Sequence, residues 1–211
     1  MNPVLWILVF ATVTTVGLLL ERRSRSRLLS LDEWAERQGR PVVRDAPLAL
    51  LTEIEPISFL PPIVAIARFL PARSEVEPAL LLGSCGTGHR PVTFLCAISQ
   101  APALLPHARV LPQNAHDVPG NLGFVAQEAP ELPGTHRLEA FSPLAPQLVA
   151  ALAVALGARP DFRPDFRPEL RPELRIELRP GRVLVAARGQ GPDDAELVSA
   201  ITAQLLLGLG V

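Results

Sequence analysis

Cys85 and His89 are the residues whose types and spacing come nearest to chemistry. They lie four apart in a glycine-rich stretch, Gly83, Ser84, Cys85, Gly86, Thr87, Gly88 and His89. A thiol beside an imidazole can form a nucleophile–base pair. The same two residues, with His107, His116 or His136, could begin a metal site, but none has the close C-x-x-C or H-x-x-x-H spacing of a strong ligand pair. Gly83 and Gly88 match the glycine spacing of a phosphate-binding loop, yet His89 and Arg90 stand where Lys and Ser/Thr are required. Pro91 to Leu95 then reads as a strand, so no helix N-terminus supplies amides to a phosphate. The expectation is no catalytic set, no metal and no cofactor, with Cys85 and His89 as the weak candidates. An enzyme working at the Gly83–His89 loop is the alternative.

The elements that would position this loop are strands. Ala79–Leu82 and Val92–Ile98 read as a hairpin with a glycine-rich tip. Further strands are expected at Pro61–Phe69, Ala108–Leu111, Leu122–Ala126 and His136–Phe141. Ser142 and Pro143 read as the start of a helix over Leu144–Leu156. Units beginning at Arg159, Arg163, Arg167, Arg171 and Arg175 repeat every four residues. In an extended chain that period puts Arg and Asp/Glu on one face and Pro, Phe, Leu and Ile on the other. Proline removes backbone donors from the early units, so only Leu174–Leu178 is expected to join a sheet. Pro180 and Gly181 fit a type II turn into a returning strand, Val183–Ala187. Pro192, Asp193 and Asp194 open the final helix, to about Leu207, with Leu197, Val198, Ile201 and Leu205 at helical spacing.

The N-terminus reads as a membrane anchor. Pro3–Leu20 carries no charge, and 18 residues of helix span about 27 Å, close to a hydrocarbon core of roughly 30 Å. No basic segment precedes it and no small-x-small site follows it, which argues against a cleaved leader. Arg22, Arg23, Arg25 and Arg27 follow the run, so the positive-inside rule places the N-terminus outside and the remaining domain in the cytoplasm. These arginines form a basic cluster suited to facing lipid. Leu28–Gln38 is a short helix that can continue the anchor, with Ser30 and Glu33 as a capping box.

Composition excludes little and fixes the class. Net charge is −1, so no overall field draws nucleic acid. Lysine and tyrosine are absent, and 23 of 211 residues are proline, which favours short strands over long helices. Cys85 and Cys96 are the two cysteines, expected reduced in a cytoplasmic domain.

The expected fold is α+β: an N-terminal transmembrane helix, then a mixed or antiparallel sheet domain with two C-terminal packed helices. Residues 1–29 form the anchor and basic segment, and 30–211 the soluble domain, with 158–174 as a repeat connection. Leu31–Gly39, the hairpin at Gly83–Ile98, and Arg137–Phe141 through the final helix together give a layout that resembles a loose set of uncharacterised bacterial membrane-anchored proteins. The resemblance implies a single-pass topology and no activity. The functional expectation is a non-enzymatic interaction or scaffold module at the cytoplasmic membrane face. Its expected partners are the lipid bilayer and a membrane protein.

Overall fold

The computed structural model describes residues 3–48, 59–74, 77–86, 92–115, 123–157 and 173–210, and in the first helix the side chains of 12–16, 18–19, 22 and 25 onward. His89, His116 and nearly all of the arginine–proline repeat lie outside the described residues.

Helix α1 (Pro3–Arg37) leads into strands β1 (Val43–Ala46), β2 (Ile63–Leu70), β3 (Ala79–Cys85), β4 (Val92–Gln100), β5 (Ala108–Pro112), β6 (Val125–Gln127) and β7 (His136–Ala140). Helix α2 (Pro146–Gly157), strands β8 (Arg175–Arg179) and β9 (Arg182–Arg188), and helix α3 (Pro192–Gly208) complete the order. All nine strands form one sheet in the order β1-β2-β3-β4-β9-β8-β5-β7-β6, antiparallel at every pairing. The C-terminal hairpin β8–β9 therefore sits in the middle. It joins the β1–β4 meander to the β5, β7, β6 group.

The sequence of the central strands explains their place. Val183–Ala187 is apolar without interruption and buried on both sides, as a strand with two covered faces must be. Pro180 and Gly181 make the turn, Gly181 taking φ +79°. On one face Leu80, Leu82, Leu95, Val110, Leu138, Ile176, Val183 and Val185 pack under the helices. Helix α3 adds Val198, Ile201 and Leu205, α2 adds Leu152 and Ala155, and α1 adds Leu31, Trp34 and Ala35. Helices α2 and α3 approach closely where Gly208 meets Ala151, since a β-carbon at 208 would stand 3.0 Å from the Ala151 side chain. The opposite face has a second core of Leu81, Cys85, Phe94, Cys96, Leu111, Leu184 and Ala186, covered in part by Phe59, Leu60 and Ala115.

Helix α2 starts later than its Ser-Pro signal implies. Gln127 holds that segment instead: its amide nitrogen donates to the Ser142 carbonyl at 2.7 Å, and its oxygen accepts from the Leu144 amide at 3.2 Å. Pro146 then takes the first helical position.

The N-terminal reading requires correction. Among the described residues no helix is long and apolar enough to cross a membrane. Helix α1 is one unbroken helix of 35 residues that runs through the arginine-rich stretch without a boundary. Its described side chains ahead of Arg22 are Thr12, Val13, Thr14, Thr15, Val16, Leu18 and Leu19, three of them threonine, and all are exposed. The expected transmembrane anchor and the α+β fold built around it give way to a large antiparallel nine-stranded sheet with a few helices. The single-pass location, the outside N-terminus and the topology argument for reduced cysteines fall with them.

The last turns of α1 are tied down. Asp32, nearly buried, accepts from Arg68 Nε at 2.7 Å, Arg68 Nη2 at 3.2 Å and Arg44 Nε at 3.1 Å. Trp34 Nε1 donates to Glu196 Oε1 on α3 at 3.1 Å. The helix is thus docked from Leu28 onward, and its described side chains from Thr12 to Arg27 form an exposed arm.

Candidate functional site

The hairpin expected to present Cys85 is present, with Cys85 paired to Val92 at its end. Cys85 itself is 1 % exposed, turned into the second core. A side chain in that position is packed as a small apolar group, and a nucleophile needs access. His89, its expected partner, lies outside the described residues. Cys96 lies on the same face, fully buried, and burial above all, with the Glu177 carboxylate second, pushes its thiol pKa up. Neither cysteine forms a disulfide. Among the described residues no group of three or more His, Cys, Asp and Glu could hold a metal ion. Arg22, Arg25 and Arg27 are exposed on the α1 arm, and the side chain of Arg23 is not described.

A different cluster stands out on the sheet face opposite α1, α2 and α3. Register places Arg109 of β5 opposite Glu139 of β7 on one side and Glu177 of β8 on the other. Arg109 is 4 % exposed and Glu177 0 %, so this charged rung is inside the protein. Arg109 Nε donates to Glu139 Oε2 at 2.7 Å, and Arg137 Nε donates to Glu139 Oε1 at 2.8 Å. Burial pushes the Glu139 pKa up, but the hydrogen bonds from Arg137 and Arg109 outweigh it and hold the carboxyl below its usual range. His107 Nε2 lies 2.7 Å from Glu177 Oε1. Its ring packs against Phe124 and Phe141, with centroids at 4.9 and 4.6 Å, and the Arg109 guanidinium stacks 4.3 Å from the Phe124 centroid.

Two further arginines fasten the chain over this face. Arg137 donates to the carbonyls of Pro112, Gln113 and Ala115. Arg175 donates to the Phe59 carbonyl at 3.0 Å and stacks on Phe94. Guanidinium suits this work because its planar fork serves several oxygens at once.

Chemically the cluster is closed. A His–carboxylate pair can orient a base, but a base acts on a nucleophile or substrate within reach. Glu139 is committed to Arg109 and Arg137 and Glu177 to His107, and among the described residues no hydroxyl or thiol hydrogen-bonds His107. The arrangement works as a staple that holds β5, β7 and β8 and the covering segments in one geometry. Its sequence signal was alternation: Arg137 and Glu139, and Arg175, Glu177 and Arg179, each occupy every second position. Such spacing normally marks a solvated face, and the burial comes from segments distant in sequence.

His136, at the start of β7, lies beside this cluster in sequence. Burial lowers its pKa, and the Leu174 backbone opposes that only in part. The folded state therefore binds a proton at His136 less readily than the unfolded chain, whose histidine titrates near ~6.5. Stability contributed by neutral His136 is present above that value and is lost as the pH falls below it. Depressed Glu139 adds a further loss at lower pH, below the ordinary carboxylate value of about 4.3. Melting temperatures from pH 8 to 5 should fall at the acid end and fall less in His136→Gln. Equal slopes in the two proteins would place the acid sensitivity elsewhere.

No protein-family model and no curated protein matches the chain. Among solved structures it is similar to the mycobacterial trehalose monomycolate transport factor A, with a TM-score of 0.50 and 11% identity. The match covers 88% of this chain and 93% of that one. At this identity the likeness is one of fold.

Proposed function

We propose that the chain is a non-enzymatic interaction module, an accessory factor that joins a protein assembly through the arm of α1. The observation that carries this reading is the contrast along one helix. From Leu28 onward α1 packs on the sheet domain and is ion-paired to it through Asp32. Ahead of that point Val13, Val16, Leu18 and Leu19 are 65, 49, 62 and 59 % exposed. Contiguous exposed apolar side chains on a held element mark an interaction surface more often than a neutral one. The Asp32 and Trp34 contacts fix the docked end, which lowers the ordering cost of binding. The similar structure is described as a transport factor, and a role in assisting transport would be in keeping with an accessory module. The burial of Cys85 speaks against an enzyme acting at the Gly83–His89 loop.

Affinity purification of the whole chain from its native host tests this reading. A partner in near-stoichiometric amount is expected, and it should be lost when Val13, Val16, Leu18 and Leu19 are all changed to serine. The variant should keep the parent's unfolding midpoint, since these side chains touch nothing in the sheet domain's cores. If the parent chain purifies alone, or the serine variant keeps its partner, the module reading fails.

A further inference from the structure

Leu18, Arg22, Arg25 and Leu29 are separated by four, three and four residues, which places them on one face of α1. An open groove of about 600 Å³ runs along that face, and its described lining is Leu18, Arg22, Arg25, Ser26 and Leu29. Leu18 and Leu29 are 62 and 59 % exposed, and both arginines are exposed. The stripe thus carries two guanidinium groups one turn apart, bracketed by leucines.

We propose that this groove receives a helix of a partner protein that carries two carboxylates three or four residues apart, with an aliphatic side chain beyond each. This rests on the reading of α1 as an interaction arm and names the chemistry of its partner. The charge of the groove sets the charge of the occupant. Two arginines in so short a span repel a cation and favour a carboxylate pair, which each guanidinium can take up through paired N–H groups. The flanking leucines set its shape. An apolar side chain at each end shields the ion pairs from water, and helix-in-groove recognition reads anchors at this i, i+4, i+7 spacing. Arg25 also has an interaction within the chain. A guanidinium has five donors, so it can serve both that contact and a partner. Ser26 adds a hydroxyl at the groove wall without closing it. The chain as a whole offers no competing general attraction for acidic segments, because its net charge is −1.

The test places a photo-crosslinking amino acid at Leu29 and, separately, at Val13 in the full chain produced in its native host. The product is identified by mass spectrometry. From Leu29 the expected product is a peptide of another protein with two Asp or Glu residues three or four apart. Charge reversal by Arg22→Glu with Arg25→Glu should cut that yield about tenfold or more, since like charges in an interface are strongly unfavourable. Arg22→Lys with Arg25→Lys should keep most of it. Crosslinks from Leu29 to a second copy, to lipid or to a peptide without paired acids overturn the proposal. So does a yield that charge reversal leaves unchanged. Crosslinks to a partner from Val13 alone sink the acidic-helix proposal and leave the module reading standing. No crosslink at either position ends both.

Discussion

Glu177→Ala should lower the unfolding free energy by about 3–5 kcal/mol, the range for removing one partner of a buried ion pair. Glu177 is fully buried, its carboxylate meets His107, and register sets it opposite Arg109. Alanine leaves a cavity and strips Arg109 of one of its two flanking carboxylates. The remaining carboxylate, Glu139, is already shared with Arg137. Arg109 then carries charge in the interior with too little compensation, and that residue of unpaired charge is the main cost. Glu177→Gln should be milder, because an amide oxygen still accepts from an imidazole N–H. Combining Glu177→Leu with Arg109→Met should cost less than the sum of the two single changes, because the double variant removes charge from both sides of the rung. Urea unfolding of the parent and these five variants measures all of this. A Glu177→Ala loss under about 1 kcal/mol would mean that the rung is wetter than its burial implies.

Gly189→Ala is the second large effect, at about 2–4 kcal/mol, and here the cause is space. A β-carbon at 189 would overlap the Asp194 carboxylate. That carboxylate accepts from the Gln190 and Gly191 amides at 3.0 Å each, and so folds the entry to α3 around itself. It sits in the first helical turn, where negative charge is favoured. Pushing it aside costs overpacking strain and weakens two charge-assisted hydrogen bonds. Asp194→Ala alone should cost about 2 kcal/mol through the lost acceptor. Alanine at 194 also removes the obstacle, so the double variant should be scarcely worse than Asp194→Ala. Additive losses in thermal or urea unfolding would show that the glycine is needed for something other than this contact.

Much of the sheet was legible because its signals are local. The apolar run Val183–Ala187, the Pro180–Gly181 turn and the Pro192–Asp194 helix start each depend on neighbours in sequence, and each lies within a residue or two of its expected place. The strand order was not legible. Nothing local to β8 says that it pairs with β5, some 65 residues earlier. The candidate site failed for the same reason. Arg109 is covered by Phe124, Arg175 reaches the Phe59 carbonyl and Arg137 the 113–115 segment, contacts that composition does not connect. The arginines at 40, 68, 137 and 175 look like surface charge in a lysine-free chain. Each instead donates to backbone carbonyls or a buried carboxylate. The anchor reading failed differently. Hydropathy described the run before Glu21 in isolation, and it did not show that the helix docks on the sheet domain through Trp34.

The position of the β8–β9 hairpin bears on how the protein is made. Strands β1–β4 and the group β5, β7, β6 leave the ribosome first, yet among the described residues no strand pairing joins the two groups directly. Until residue 188 has been synthesised, β4 and β5 each present an open inner edge, and unpaired edges of this kind recruit strands from other chains. The nascent protein is most exposed to aggregation in that interval. A chaperone bound during translation would serve it best by covering those two edges until the last strands arrive.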